Sequence, residues 1–293
     1  MFGGDWTTDK LNRVRKYLVA YTTIMRKKNF SQYIYIDAFA GTGWLTLKQN
    51  EKQALQTELP LFANAIGEEL DTSLEGSARI ALQVEPRFTK YIFVEKDKKR
   101  FEELRNVQME FPDRDIFLEN SDANVYIRQI CEERNWLERQ ERAVLFLDPY
   151  GMQVPWETIE VIAETQAIDL WYLFPIGIAL NRLLRRDGRI EESYRSKIDL
   201  LLGSTEWYNL FYTERRKSGL FEEELSIDKI ANFELIKQYF VTRLKTIFPG
   251  VADNPRLLLN SKNTPLYLLC FASANRYGAP TAIKIAQDIL SRE

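Results

Sequence analysis

The chain of 293 residues contains no histidine. Every mechanism that passes a proton through imidazole, and every imidazole-ligated metal, is thereby excluded. Its two cysteines, Cys131 and Cys270, are too few for a disulfide scaffold, a cysteine-ligated zinc or an iron–sulfur cluster, so no metal site is expected. No apolar run is long enough to span a bilayer, and the first residues lack the basic, apolar and small-residue order of a signal peptide. A cytoplasmic protein without membrane association is the expectation. Lysine and arginine number 40 against 42 aspartates and glutamates, a formal charge of −2. That balance argues against broad electrostatic coating of nucleic acid but leaves room for a local basic patch. Internal repeats and low-complexity tracts are also missing. With 45% hydrophobic residues, the chain can bury one large α/β core carrying an inserted subdomain, rather than two domains in tandem.

What is present is a series of apolar strands that run into acids. Residues 33–43, YIYIDAFAGTG, lead a strand into a glycine-punctuated turn holding Phe39, Ala40, Gly41, Thr42 and Gly43. Glycine lets a ligand approach the backbone closely, and Asp37 stands at the carboxyl end of the strand, where open α/β sheets bind ligands. A carboxylate there repels the pyrophosphate of a dinucleotide and attracts an ammonium such as that of S-adenosylmethionine. The third glycine of the dinucleotide fingerprint is missing too, which makes nicotinamide chemistry a distant alternative. Standing alone, this segment would be an ordinary strand-to-helix turn.

It does not stand alone. Residues 90–97, KYIFVEKD, form a second strand ending in Glu95, the first choice for hydrogen bonds to a ribose, with Lys96 beside it. Asp97 competes for the role of helix cap. A third strand, DIFLEN at 115–120, reaches Ser121, Asp122 and Ala123. A polar side chain here can meet the exocyclic amine of an adenine, cap the next helix, or do both. The fourth strand, AVLFL at 143–147, delivers Asp148, Pro149, Tyr150 and Gly151.

This last box can be read as chemistry. Pro149 stiffens the turn, so that the Asp148 carboxylate and a nearby carbonyl can both accept hydrogens from a planar amino group. Those contacts aim the nitrogen lone pair at an activated methyl group while Tyr150 stacks on the ring. Such a reaction runs on proximity and orientation and needs neither a metal nor a covalent nucleophile. The competing reading is a turn made for folding alone.

Taken in order, DAFAGTG, FVEKD, NSDA and LDPYG resemble the class I S-adenosylmethionine-dependent methyltransferases. More narrowly, WTTDKL, YIDAFAGTG, EGSARIAL, FLDPYGMQVPW and YLLCFASAN resemble the three-Cys-motif partner family. Its members are methyltransferase-like proteins of bacteria and phages typically encoded beside a radical-SAM-like protein. The resemblance covers most of residues 5–180 and 255–292. It implies a Rossmann-like fold with a predominantly parallel seven-stranded sheet, S-adenosyl-L-methionine as cofactor and a radical-SAM-like protein as a partner. The LDPYG box lacks the second proline of the Asp/Asn-Pro-Pro-aromatic amino methyltransferases. It is closer to the Asp-Pro-Phe-Gly of tRNA guanine-N2 methyltransferases, with Tyr150 in place of phenylalanine. Both comparisons point to an exocyclic amine on a nucleobase in DNA, RNA or a nucleotide, without choosing the base. A silent methyltransferase-shaped module is the alternative.

The remaining chain organises around this frame. Residues 9–28 read as an amphipathic helix carrying Leu11, Val14, Leu18 and Ile24. Residues 45–75 read as an insertion with a mobile centre at 48–57, followed by a helix over 77–84. Strand 168–174 ends in Phe174, and residues 177–230 read as a helical, substrate-facing subdomain between core segments 1–176 and 231–293. There Trp207, Tyr208, Phe211 and Tyr212 are weighed as core against base-stacking platform, the former favoured. The cluster Lys96, Lys98, Lys99 and Arg100 reads as a solvated helix start. Arg182, Arg185, Arg186 and Arg189 suit phosphate contacts or simple solvation equally. With Trp44, Gly151 and Phe174, the first three of these arginines make up the expected substrate side. A helix over 231–246 and a hairpin of 256–260 with 265–272 are expected to complete the sheet.

Overall fold

The computed structural model describes residues 5–45, 74–218 and 223–292. The expected mobile centre at 48–57 lies outside the described residues. The chain opens with α1 (Asp5–Met25), then β1 (Gln32–Asp37) and a two-residue ladder of β2 (Trp44–Leu45) with β3 (Leu74–Glu75). A β/α succession follows: α2 (Ser77–Leu82), β4 (Lys90–Val94), α3 (Lys98–Glu110), β5 (Ile116–Glu119), α4 (Ala123–Glu133), β6 (Glu141–Leu147), α5 (Trp156–Glu164) and β7 (Ile168–Phe174). Beyond a π-helical turn (Ile176–Asn181) come α6 (Glu192–Leu202), α7 (Trp207–Phe211) and strands β8 (Tyr212–Ser218) and β9 (Glu223–Lys229). The chain closes with α8 (Phe233–Ile247), β10 (Gly250–Val251), β11 (Arg256–Leu259), β12 (Pro265–Ser273) and α9 (Ala279–Ser291).

The main sheet has the order β10-β12-β7-β6-β1-β4-β5, with β11 also paired to β12. Strands β5, β4, β1, β6 and β7 are parallel, whereas β12 runs antiparallel to β7. This is the Rossmann-like, predominantly parallel architecture expected, widened from seven strands to eight by the short β10. The order reverses beside β1: the chain moves outward through β4 and β5, then returns to place β6 on the other side. A ligand crevice opens at such a switch point, outside the carboxyl ends of the strands.

Each strand divides its side chains between two cores because successive residues point to opposite faces. Ala143, Leu145 and Leu147 of β6 join the face covered by α4, α5, α6 and α8. Val144 and Phe146 join the face covered by α1, α2, α3 and α9. The β1 residues Ile34 and Ile36 divide from Tyr35 in the same way. α1 presents Leu11, Val14, Tyr17, Leu18 and Tyr21 to the second core, all buried. Burial of each such side chain contributes about 1.5–3 kcal/mol.

Residues 177–230 depart from expectation in two ways. They are not purely helical, because β8 and β9 form an antiparallel hairpin in register from Tyr212 opposite Lys229 to Ser218 opposite Glu223. Nor are they packed apart from the core, since Ile198, Leu202, Trp207 and Phe211 are buried in the same cluster as β7 and α8. The aromatic run is core, as favoured from the sequence. Phe174 needs a plain correction: it is fully buried and stacked on Phe240 with centroids 3.8 Å apart, so it is a core residue and not a substrate contact.

At the amino end of β7, Asp169 is buried and accepts hydrogen bonds from Tyr17 at 2.6 Å and Ser273 at 2.5 Å, tying α1 and β12 to the sheet. Burial pushes its carboxyl up to about 6, opposed by those two hydroxyls. Replacing Asp169 with alanine strands both hydroxyls. The variant is expected to lose about 2–4 kcal/mol of stability in urea denaturation, since each unsatisfied buried group costs about 1–3 kcal/mol. A stability equal to the parent protein would rule out this anchoring role.

Candidate active site at the switch point

The loops after β1 and β6 flank the point where strand order reverses, and the pairing of the two strands sets their acids side by side. Asp37 is in register with Phe146, and the Ala38 amide donates to the Phe146 carbonyl at 3.1 Å. The loop starting at Asp148 therefore begins two residues beyond Asp37's partner.

Asp37 is fully buried. Its carboxylate accepts the Phe39 amide at 3.3 Å and the Tyr35 hydroxyl at 3.4 Å, and it is also bonded by the Ser77 hydroxyl at the start of α2. Burial is the main reason that its carboxyl is pushed up to about 7; Asp148's negative charge adds to the rise, while Ser77, the Phe39 amide and Lys10 oppose it. This acid is thus poised to ionise when a cation arrives.

The two glycines of the turn do different jobs. Both have positive φ, +61° at Gly41 and +76° at Gly43, which L side chains adopt at a cost. Among the described residues, a Cβ at Gly41 would meet nothing within 4 Å, so none of them covers this backbone. A Cβ at Gly43 would lie 2.8 Å from Val107 of α3. Gly41 therefore fits the expected approach of a ligand, whereas Gly43 exists for close packing. Ala40 is buried and ties the turn to β4 through its amide to the Val94 carbonyl at 3.0 Å. Phe39 packs half-buried on the core, and Thr42 stands half-buried between the glycines.

Glu95, just beyond β4, is 8% exposed and accepts the Asp97 amide at 2.7 Å. Burial raises its carboxyl, opposed by the Asp97 and Gly41 amides and by Arg100. It therefore joins the glycine turn to the end of β4. Asp97 caps α3 by accepting the Arg100 amide at 2.9 Å, the competing role considered from sequence. Asp122 likewise caps α4 through the Asn124 amide at 3.0 Å and pairs with exposed Lys96 at 3.1 Å. Burial works against its charge, but Lys96 and the helix amides prevail and hold its carboxyl low. Between them the Ser121 hydroxyl oxygen is buried and, like several core hydroxyls, has no hydrogen-bond partner among the described residues. An unpartnered hydroxyl at the carboxyl end of β5 leaves a hydrogen bond that a ligand or a water can make. Ala123 opens α4, buried behind it.

Past β6, Asp148 is held by a residue with no place in the sequence-derived site. Lys10 of α1, only 3% exposed at its side chain, sets Nζ 2.5 Å from Asp148 Oδ2. Its ammonium also lies 5.3 Å from the centroid of Trp6 and 5.9 Å from that of Phe146. Trp6 in turn stacks on Tyr267 of β12 at 5.3 Å. Tyr150 donates its amide to Gln153 at 3.1 Å, and the Arg100 guanidinium lies 5.9 Å from its ring centroid. Pro149 is buried, and Gly151 turns the loop with φ +67°. The expected solvated helix start thus sends one member, Arg100, to the loop. Sequence reasoning also gave no site role to Lys10, Trp6, Ser77 or Tyr267, although the first two stand in the WTTDKL motif. A second signal for Lys10 was present: it interrupts the apolar stripe of α1 one turn before Val14.

The expected substrate side is gathered only in part. Trp44 lies in β2, with its side chain outside the described residues. Arg182, Arg185 and Arg186 are exposed after the π-helical turn, which packs so closely on β12 that a Cβ at Gly177 would strike the Pro265 carbonyl. Arg185 pairs with Asp187 at 3.3 Å. The Arg186 carbonyl accepts the Lys229 amide at 3.0 Å, while Lys229 Nζ bonds Asn181 at 2.7 Å. These cations stand on the carboxyl side of the sheet, as the site does. Both cysteines are buried and burial pushes their thiols up, which suits packing rather than nucleophilic work.

No protein-family model matches the sequence, so the resemblance to the three-Cys-motif partners is one of motifs and membership of that family is not shown. No curated protein matches it either. Solved structures offer remote likenesses. A Legionella pneumophila protein is 11% identical with a TM-score of 0.48, covering 94% of this chain and 89% of its own. An S-adenosylmethionine-dependent methyltransferase from Clostridium acetobutylicum is 11% identical with a TM-score of 0.32, covering 91% and 96%. A conserved protein of Streptococcus pyogenes is 12% identical with a TM-score of 0.30, covering 70% and 91%. At such values the roles of the residues rest on the site's own geometry.

The contrast between the glycines can be tested directly. Gly41→Ala is expected to fold with a penalty of about 1 kcal/mol from its positive φ while losing affinity for an adenosyl ligand. Gly43→Ala is expected to melt earlier than Gly41→Ala, because its methyl collides with Val107. Thermal melting with ligand titration separates the two; equal melting of both variants would remove the distinction.

Proposed function

We propose that this protein is an S-adenosylmethionine-dependent methyltransferase acting on an exocyclic amino nitrogen of a nucleobase, in DNA, RNA or a nucleotide. One observation carries the reading: Asp37 and Asp148 converge at the switch point, beside a glycine turn whose Gly41 no other described residue covers. The residues suit the cofactor on three counts. Asp37 is a buried acid matched to an ammonium, Gly41 leaves room against the backbone, and the unpartnered Ser121 hydroxyl offers a hydrogen bond to an adenine edge. Glu95 has the position for the ribose, although part of its accepting capacity is spent on backbone amides.

S-adenosylmethionine would supply an electrophilic methyl on a sulfonium; on transfer the carbon–sulfur electron pair stays with sulfur and the methylated amine sheds one proton. The chain's share is placement. Asp148 accepts an amine hydrogen and directs the nitrogen lone pair, Tyr150 provides a stacking face, and Pro149 limits the loop's freedom. The exposed arginines after the π-helical turn offer contacts to substrate phosphates. A silent module that binds the cofactor or a radical-SAM-like partner is the outcome to be distinguished by experiment.

Binding should depend on pH in a defined direction. Asp37, pushed up to about 7, is neutral below that value, and a cationic ligand favours its carboxylate. Affinity for S-adenosylmethionine is therefore expected to fall by up to about tenfold per pH unit below about pH 7, with proton release on binding. Calorimetry in buffers of different ionisation enthalpy reads both effects. A flat profile between about pH 5.5 and 8 would exclude the proposed ammonium partner, as would NAD binding without response to either adenosyl ligand.

The second test concerns turnover. Asp148→Asn keeps an oxygen for Lys10 and is expected to fold and to bind the uncharged S-adenosylhomocysteine as the parent protein does, while lowering methyl transfer at saturating S-adenosylmethionine by about 100-fold or more. Asp148→Ala would also strand the buried Lys10 ammonium and melt earlier. The assay is radiolabelled transfer to cellular nucleic acid and small nucleotides. Full activity of well-folded Asp148→Asn would refute this placement, and cofactor binding by the parent protein without transfer to any acceptor would favour the silent module.

A further inference from the structure

We infer that Lys10 is a positioning residue of this site, delivered by α1 to hold one oxygen of Asp148, neutralise its charge and present the other oxygen to the acceptor amine. The inference rests on the methyl-transfer reading and goes beyond it, since α1 precedes the β/α succession and supplies none of the residues assigned to cofactor or acceptor.

The geometry is specific. The Lys10 side chain is 3% exposed and that of Asp148 20%, and their atoms meet at 2.5 Å through Oδ2. Among the described residues, Asp148 Oδ1 has no hydrogen-bond partner. One carboxylate oxygen is therefore committed and the other is available. The buried ammonium lies within cation–π distance of both the Trp6 and the Phe146 ring, which attract a cation and restrict its position. Trp6 is itself stacked on Tyr267, so β12 also braces the arrangement.

Charge balance gives the pair a second task. Without Lys10, Asp37 and Asp148 would be neighbouring carboxylates with no cation among the described residues paired to either. A sulfonium ligand would then be drawn toward an uncompensated Asp148. With Lys10 present, Asp148 is already paired. Its attraction for a cationic sulfonium over a neutral thioether is muted, so the cofactor and its demethylated product are held more evenly. A lysine that merely stabilised the fold would affect both ligands alike.

That difference supplies the test. S-adenosylmethionine and S-adenosylhomocysteine differ by the sulfonium charge, and their affinities are to be measured by calorimetry on the full chain and on Lys10→Met, Lys10→Arg and Lys10→Met/Asp148→Asn. Lys10→Met is expected to raise the preference for S-adenosylmethionine over S-adenosylhomocysteine by about threefold or more, because an unpaired carboxylate acts on the charged ligand alone. Lys10→Arg should keep the parent ratio, and the double variant should return to it, since a neutral amide in place of the carboxylate has no charge to compensate. Thermal melting accompanies each titration, and Lys10→Gln, which removes the charge but keeps a polar group beside Asp148, is the second variant in which the same rise is read should Lys10→Met fail to fold. Equal weakening of both ligands in Lys10→Met, or a raised ratio that persists in the double variant, would overturn the inference. If the parent protein binds neither ligand, the methyl-transfer reading falls, and this inference falls with it.

Discussion

The site depends on one arrangement: two parallel neighbouring strands, β1 and β6, that each release an acid at the same edge of the sheet. Asp37 opposes Phe146 in the ladder, so the Asp148 loop cannot avoid Asp37's vicinity. Two carboxylates brought together in a buried place repel, and the protein answers in two ways. Asp37 is wrapped in hydrogen bonds from Phe39, Tyr35 and Ser77 and held close to its protonated form by burial. Asp148, nearer to solvent, is paired with Lys10. A carboxylate that awaits a cation and one already matched to a cation thus occupy one crevice with different chemistry, set by environment rather than residue type.

The two-faced core places these groups. On one side α1, α2, α3 and α9 cover the sheet, and α1 brings Lys10 and Trp6 to the carboxyl edge while Tyr17 reaches Asp169 near the opposite edge. A single helix therefore anchors both ends of the sheet's middle strands. On the other side the segment after β7 contributes Trp207, Phe211 and Ile198 to the common core and leaves its charged residues outside. The exposed arginines are presented from a firmly packed base, which is what contact with an extended anionic substrate would need.

Much of this was legible in order along the chain. The alternation of strands, the acids at their ends and the glycine turn all follow from local pattern, because strand burial and turn chemistry are written in neighbouring residues. The roles of Asp97 and Asp122 as caps were legible for the same reason, a cap being a contact across two or three positions. Phe174 misled because an aromatic residue at the end of a strand looks the same whether α8 covers it or not. The β8–β9 hairpin was misread because its charged, polar strands carry little apolar alternation.

The sequence by itself determined the Rossmann-like succession, the positions of Asp37, Glu95, Ser121 and the Asp148 loop, and the exclusion of imidazole chemistry. Each of these is a property of residue type and short-range order. Tertiary structure alone decided that, among the described residues, Gly41 is left uncovered while Gly43 packs on Val107, that Ser121's hydroxyl has no partner among them, and that Lys10 meets Asp148 across 138 positions of chain. Those facts depend on which surfaces approach after the sheet has formed. Long-range approach leaves no periodic trace in a sequence, beyond a lysine standing where an apolar residue would be expected.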